Sequence, residues 1–193
     1  MSRVEANRQA IHIIVALFAF FLKFFDKWQI LLVAGVALVF NLLVIPHLGI
    51  KKYLFREYEQ RGLMSKGFVS YALSMIILFL FFPIEIGSVA IGILGFGDGF
   101  SSMFGISYGK RKLHWNEKKS YVGFVSFVVV SFMVSLVLMV WNGFDIGLFT
   151  MVIFSFIVAF IGGIVESLAW KVDDNLSVPI VCALVLQILI IFI

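Results

Sequence analysis

Residues 67–96, GFVSYALSMIILFLFFPIEIGSVAIGILGF, form an apolar run that reads either as one over-long membrane helix or as two, and that choice sets the topology of the chain. A span takes about 20 residues. Pro83, followed by Glu85 and Gly87, marks a break, because proline removes a helical hydrogen bond and clashes with the preceding turn. The predicted halves are 67–82 and 84–96; the second is short for a span unless it continues into the glycine-containing residues that follow.

Outward from this run, further apolar segments occupy 10–25, 28–45, 121–141, 144–170 and 176–193, which makes seven. Charge supports the break. With it, the amino terminus and the connections 46–66, 98–120 and 171–175 share one side and carry thirteen of the fifteen Lys and Arg residues. Only Lys23 and Lys27 fall on the other. Without the break, two connections with five basic residues each would face opposite sides, against the positive-inside rule. The sequence therefore predicts an all-α integral membrane protein, a single domain over 1–193. It would have about seven transmembrane helices, the amino terminus cytoplasmic and the carboxyl terminus external.

Composition excludes the main alternatives. Hydrophobic residues are 62% and charged residues 13%, whereas soluble domains are about 45–50% apolar. In lipid the backbone must satisfy its own hydrogen bonds, which requires helices here. The single cysteine, Cys182, offers neither a disulfide nor a thiolate metal site. A net charge of +4 gives no footing for nucleic acid. The start has the charge and apolar core of a signal peptide, but Lys23-Phe24-Phe25-Asp26-Lys27-Trp28 is not a small-residue cleavage site, so a retained span is expected. Trp28, Trp115 and Trp141 suit interface belts.

The chemistry concentrates in Gly97-Asp98-Gly99-Phe100-Ser101-Ser102-Met103-Phe104-Gly105, continuing through Tyr108-Gly109-Lys110-Arg111-Lys112 to Lys118-Lys119-Ser120 and Gly123. Read as a cytoplasmic loop, it combines what phosphoryl or nucleotidyl transfer needs. Glycines allow close backbone approach, basic side chains neutralise phosphate oxygens, and an aspartate can hold Mg²⁺. It is not a Walker A loop. The bland reading is a basic loop that obeys topology alone.

Three other clusters reach the same face. Arg8 and His12 are four apart on one helix face, either an interfacial anchor or a group that orients a substrate hydroxyl or contacts phosphate. Glu166 lies inside an apolar run, where a carboxylate must face the bundle interior, as a functional group or a helix tie. If its helix continues, Asp173 follows two turns later on the same face. Asp173-Asp174-Asn175 is either a capping turn or a set of oxygen ligands for Mg²⁺.

Taken together, Arg8-x-x-x-His12, Gly97-Asp98 with Gly105, Tyr108-Gly109-Lys110, Lys119-Ser120-x-x-Gly123, Glu166 and Asp173-Asp174-Asn175 with Pro179 resemble the polyprenol kinase family. That family includes dolichol, phytol and CTP-dependent diacylglycerol kinases. Val122 stands where the family usually has an acid, and Ile106 where it often has arginine.

The resemblance implies a multi-pass protein, expected in a prokaryotic cell membrane, that moves the terminal phosphate of a nucleoside triphosphate, typically CTP, to a lipid alcohol. Nucleotide contacts are expected from Gly97, Gly99, Gly105, Gly109, Lys110, Arg111, Lys118, Lys119 and Ser120. Metal contacts are expected from Asp98, Asp173, Asp174 and Asn175. Glu166 is the expected base, with His12 and Arg8 orienting the alcohol. The second reading is a phosphatidate cytidylyltransferase-like enzyme, although the carboxy-terminal signature of that enzyme is missing. The third is a small membrane carrier.

Overall fold

The computed structural model describes residues 3–48, 66–168 and 172–193. Lys51, Lys52, Arg56, Arg61 and Lys171, which support the topology expectation, lie outside the described residues. The described chain forms α1 (Arg3–Leu17), α2 (Lys27–Leu43), α3 (Lys66–Phe81), α4 (Ile84–Gly92), α5 (Asp98–Tyr108), α6 (Tyr121–Asn142), α7 (Leu148–Ser167) and α8 (Asp174–Ile191). Between α5 and α6 lies a hairpin of β1 (Lys112–Leu113) and β2 (Asn116–Ser120), paired antiparallel with Lys112 opposite Ser120.

The ends of these helices follow from local chemistry. Pro83 separates α3 from α4, at the expected break. Gln29 accepts the Asp26 amide at 2.9 Å in front of α2, and Ser120 accepts the Gly123 amide at 3.1 Å in front of α6. Both satisfy amides that a helix start leaves unpaired. Gly143 closes α6 with φ +70°, a conformation that only glycine adopts without strain.

One expectation is corrected. The stretch from Gly97 to Tyr108 is not a loop: a π turn, Ile93–Gly97, carries α4 into α5, making one span, Ile84–Tyr108. The connection shrinks to residues 109–120, and half of that is extended strand in a chain expected to be all helical. The glycines misled because between membrane helices a small residue serves close packing as readily as it serves a turn. Gly95 and Gly99, four apart, face α1: a Cβ on Gly95 would strike Ala16 and the His12 carbonyl, and one on Gly99 would strike Ile13. Gly97 faces α6, against Ser131 and Phe127.

Four helices are long and apolar enough to cross a membrane, Ile84–Tyr108, Tyr121–Asn142, Leu148–Ser167 and Asp174–Ile191, and α2 and α3 are shorter apolar helices. The chain is a helical, multi-pass membrane protein. Its core is built from Phe79, Ile93, Leu94, Phe127, Leu138 and Val158, all fully buried. Phe81, Phe149 and Phe192 project outward, as lipid-facing side chains do.

Side-chain bonds define the two ends of the bundle. At one, Trp141 donates to the Phe20 carbonyl at 2.7 Å, Lys23 to the Trp141 carbonyl at 2.9 Å, and Lys27 to the Leu80 carbonyl at 3.0 Å. At the other, Asn116 donates to the Ser167 carbonyl at 3.0 Å and Asn175 to the Gly67 carbonyl at 3.2 Å. The second end gathers the hairpin, the end of α7 and the starts of α1, α3, α6 and α8. There the polar groups converge.

Candidate active site

Lys119, on β2, organises this end. Its ammonium donates to Glu166 Oε1 and, at 3.1 Å, to Asp174 Oδ2. Ser101, from α5, donates to the same Glu166 oxygen at 3.1 Å. The hairpin delivers Lys119 because it is clipped to the end of α7: Trp115 donates to Ser167 Oγ at 3.1 Å, beside the Asn116 bond. Trp115 therefore does more than sit in an interface belt. Burial opposes the charge on Lys119, but Glu166, Asp174 and, more weakly, Asp98 outweigh it and hold the ammonium above its ordinary pKa.

The link between Glu166 and the Asp173 cluster differs from the expected continuous helix. Leu168 caps α7, and Asp173 instead opens α8, accepting the Asn175 amide at 3.0 Å. Lys119 bridges the two segments where helical spacing was expected to align them. In this arrangement Asp173 acts as a helix cap and the Asn175 side chain ties α8 to α3.

A cavity of about 550 Å³ opens beside this cluster, lined by Ser101, Ser102, Gly105, Ile106, Gly109, Lys112, Lys118, Lys119, Ser120 and Glu166, with Glu5, Gly123 and Phe124 completing the wall. Its size falls in the range of small-molecule sites. Of the expected nucleotide residues, Gly105, Gly109, Lys118, Lys119 and Ser120 come together here. Gly97 and Gly99 are held in helix contacts away from it. Lys110 is exposed and does not line it, and Arg111 lies over the Tyr121 ring at 5.2 Å. Ser101, Ser102 and Lys112 line the cavity without having been singled out. The signal for Ser101 was its position one turn after Asp98.

Asp98 heads α5, half-buried, its amide bonded to the Gly95 and Leu94 carbonyls and its carboxylate without a hydrogen bond among the described residues. Its charge acts on Lys119, Glu166 and Asp174, and also on His12. The other charges acting on His12 are Arg8, Asp173 and Glu5. Asp98 is flanked by Gly97, packed against α6, and Gly99, packed against α1. Arg8 and His12 are both buried. Arg8 Nη1 lies 3.7 Å from Glu5 Oε2, yet its Nε and Nη1 have no hydrogen bond among the described residues. The same holds for His12 Nδ1 and for the hydroxyl of Tyr71, whose ring meets His12 edge-on at 5.4 Å.

Among the described residues, no three His, Cys, Asp or Glu side chains form a ready cage for a metal. The donors fit Mg²⁺ in another way: it takes one or two carboxylates and completes its shell with phosphate oxygens and water. Asp98, unpartnered and electrically linked to Asp174, offers such carboxylates.

The helical membrane bundle thus carries a basic, carboxylate-backed cavity at one end. Comparison narrows this. Phytol kinase 1, chloroplastic, of Arabidopsis thaliana is 30% identical over 159 residues, 77% of this chain and 52% of the relative. A probable phytol kinase, chloroplastic, of Triticum aestivum is 32% identical over 146 residues, 69% of this chain and 47% of the relative. A probable phytol kinase 3, chloroplastic, of Glycine max is 31% identical over 210 residues, 96% of this chain and 63% of the relative. The chain belongs to a polyprenol/phytol kinase-like family.

The chain spans about half the length of the first of these relatives. No protein-family model and no solved structure matches it. The expected prokaryotic cell membrane has no counterpart among these plant chloroplast proteins.

Proposed function

We propose that this protein is a lipid-alcohol kinase that transfers the terminal phosphate of a nucleoside triphosphate, CTP by the family resemblance, to the hydroxyl of an alcohol held in the bilayer. The observation that carries this reading is the basic cavity lined by Lys112, Lys118 and Lys119, with the unpartnered His12 Nδ1 on the helix that packs against Gly95 and Gly99. A phosphoryl group in transfer needs that layout, with cations behind its oxygens and an acceptor in line in front.

Lys112, Lys118 and Lys119 take up the triphosphate. Glu166, with its Oε1 occupied by Lys119 and Ser101, is less suited to be the base than to hold Lys119 in place. Arg8 meets phosphate with its unpartnered guanidinium nitrogens. The alcohol oxygen bonds to the terminal phosphorus as the bond to the bridging oxygen breaks. The hydroxyl proton passes to His12 Nδ1, and the nucleoside diphosphate departs. Asp98 and Asp174 would hold Mg²⁺, which would neutralise charge on the phosphate oxygens.

The helices α1 to α3 complete seven passes with α4–α5, α6, α7 and α8, and the cavity end faces the cytoplasm. Purified protein with γ-labelled CTP, Mg²⁺ and a panel of isoprenoid alcohols and diacylglycerol is expected to yield labelled lipid. Label from α-labelled CTP with release of pyrophosphate would replace the kinase by a cytidylyltransferase. Flux of lipid without any nucleotide would point to a carrier.

A further inference from the structure

A second cavity, about 250 Å³, lies between α1, α2 and α3. Its wall is almost wholly apolar, from Ile11, Val15, Phe68, Ala72 and Met75, except at one point. There His12 and Tyr71 meet, 4% and 8% exposed, each with a polar atom that has no hydrogen bond among the described residues. Buried polar atoms without partners are rare and costly, and they mark places where a ligand or water completes the structure.

We infer that this groove is the acceptor site: a single-chain lipid alcohol enters from the α2 side, and its hydroxyl is held between Tyr71 and His12. The inference rests on the kinase reading and assigns its acceptor subsite, with Tyr71 as a positioning residue.

The chemistry of the pair selects a hydroxyl. A tyrosine O–H is a donor, and the lone pair of a neutral imidazole nitrogen is an acceptor. An alcohol oxygen accepts one bond and donates another, so it satisfies both at once. A carboxylate has no proton to give His12, and an alkyl chain satisfies neither atom.

The surroundings select the rest of the molecule. Ala37 lines the groove and is exposed on the lipid-facing side of α2, so the groove is open laterally toward the bilayer. Among the described residues, the only other polar side chain in the wall is Asn41, whose amide already donates to the Ala37 carbonyl at 2.9 Å. Two ester carbonyls would find little to meet, which favours a single hydrocarbon chain over a diglyceride. The His12 carbonyl lies against Gly95, on the span that carries Ser101 and Gly105 to the phosphate cavity, so the hydroxyl end of the groove is the end nearest that cavity.

The test uses the full chain in lipid nanodiscs. A long-chain isoprenoid alcohol with a diazirine on its first isoprene unit is photolysed in place, and labelled peptides are mapped by mass spectrometry. Label is expected on α1 and α3 around His12 and Tyr71, and an excess of unmodified alcohol should remove it. In parallel, Tyr71→Phe is expected to raise the KM for alcohol ~5- to 10-fold, the loss of one hydrogen bond, with the KM for nucleotide unchanged. Ala37→Phe, at an exposed position where no core must be repacked, is expected to raise the alcohol KM and to reduce labelling.

Label confined to other helices, or an alcohol KM unmoved by both substitutions, overturns the groove even if the protein is an active kinase. Specific labelling in the groove without any phosphorylation supports the groove and fails the kinase reading instead. Labelling that unmodified alcohol does not compete away means only nonspecific lipid contact and also overturns it.

Discussion

The half-buried Lys119 ammonium and the buried Glu166 carboxylate form an ion pair that joins the hairpin to the end of α7. Removing one partner of such a pair leaves the other charged and desolvated, which costs about 3–5 kcal/mol. Lys119→Met is therefore expected to lower the melting temperature strongly. Glu166→Gln should cost less, because Lys119 keeps Asp174 at 3.1 Å. The double variant Lys119→Met/Glu166→Gln, which strands no charge at this pair, should regain much of the stability while remaining inactive. Melting temperature and turnover on the same preparations check this; recovery of turnover with stability would mean that the pair is purely structural. The sign with pH follows from the raised pKa. The contribution of Lys119 is complete below its unfolded value of about 10.4 and disappears only as pH rises through the higher folded value.

The Asp98 carboxylate differs from that of Glu166 in having no hydrogen bond to lose. Asp98→Asn removes a charge and little else, so its effect on melting temperature should be small. If the carboxylate supports the transferring phosphate, turnover should fall ~100-fold or more, the scale seen when one electrostatic contact to a transition state is removed. Turnover within a few-fold of the unaltered protein would place the chemistry elsewhere.

Much of the site was legible in the sequence because ionisable residues in an apolar chain have few reasons to be there. Glu166 stands out on that ground, Arg8 and His12 by their spacing of four and by the family resemblance, and the structure buries all three. Glycine was not legible in the same way. Gly97 and Gly99 looked like a phosphate cradle because their helical contacts depend on partners far along the chain, Ser131, Phe127 and Ile13. Tyr71 escaped notice because a tyrosine within 67–82 reads as one more aromatic. Only its pairing with His12 across two helices shows the unpartnered hydroxyl. The hairpin was missed for another reason: a strand pair this short, mostly polar, has no periodicity to read.

That distinction can be tested at Gly97. As a packing residue, Gly97→Ala would push into Ser131 and Phe127 and is expected to cost about 1–3 kcal/mol of stability. The protein that remains folded should keep its KM for nucleotide. A raised nucleotide KM with unchanged stability would restore the cradle.

Topology is tested by labelling. Cys182 is fully buried, so thiol reagents should leave it untouched. A cysteine placed by Lys118→Cys should react from the cytoplasmic side, and Asp145→Cys or Phe192→Cys only from the other. Reaction of Phe192→Cys from the cytoplasmic side would overturn the proposed seven-pass arrangement.

Arg8 offers the sharpest separation of stability from function. Its guanidinium is buried, its nearest carboxylate oxygen is 3.7 Å away, and two of its nitrogens are without hydrogen bonds among the described residues. That carboxylate, on Glu5, is already shared with Gln9, which donates to it at 2.7 Å. A cation so poorly compensated destabilises the protein that carries it, and replacing it with an apolar side chain of similar length is often neutral or stabilising. Arg8→Met should therefore melt at the same temperature or higher. If phosphate completes the guanidinium's hydrogen bonds, the same variant should lose most of its turnover, and added Mg²⁺ and nucleotide should no longer raise its melting temperature as much as they raise that of the unaltered protein. Arg8→Lys keeps the charge but not the fork of donors and should fall between the two. A variant that melts far lower, with normal turnover in the fraction still folded, would show that Arg8 holds the helices together and does nothing more.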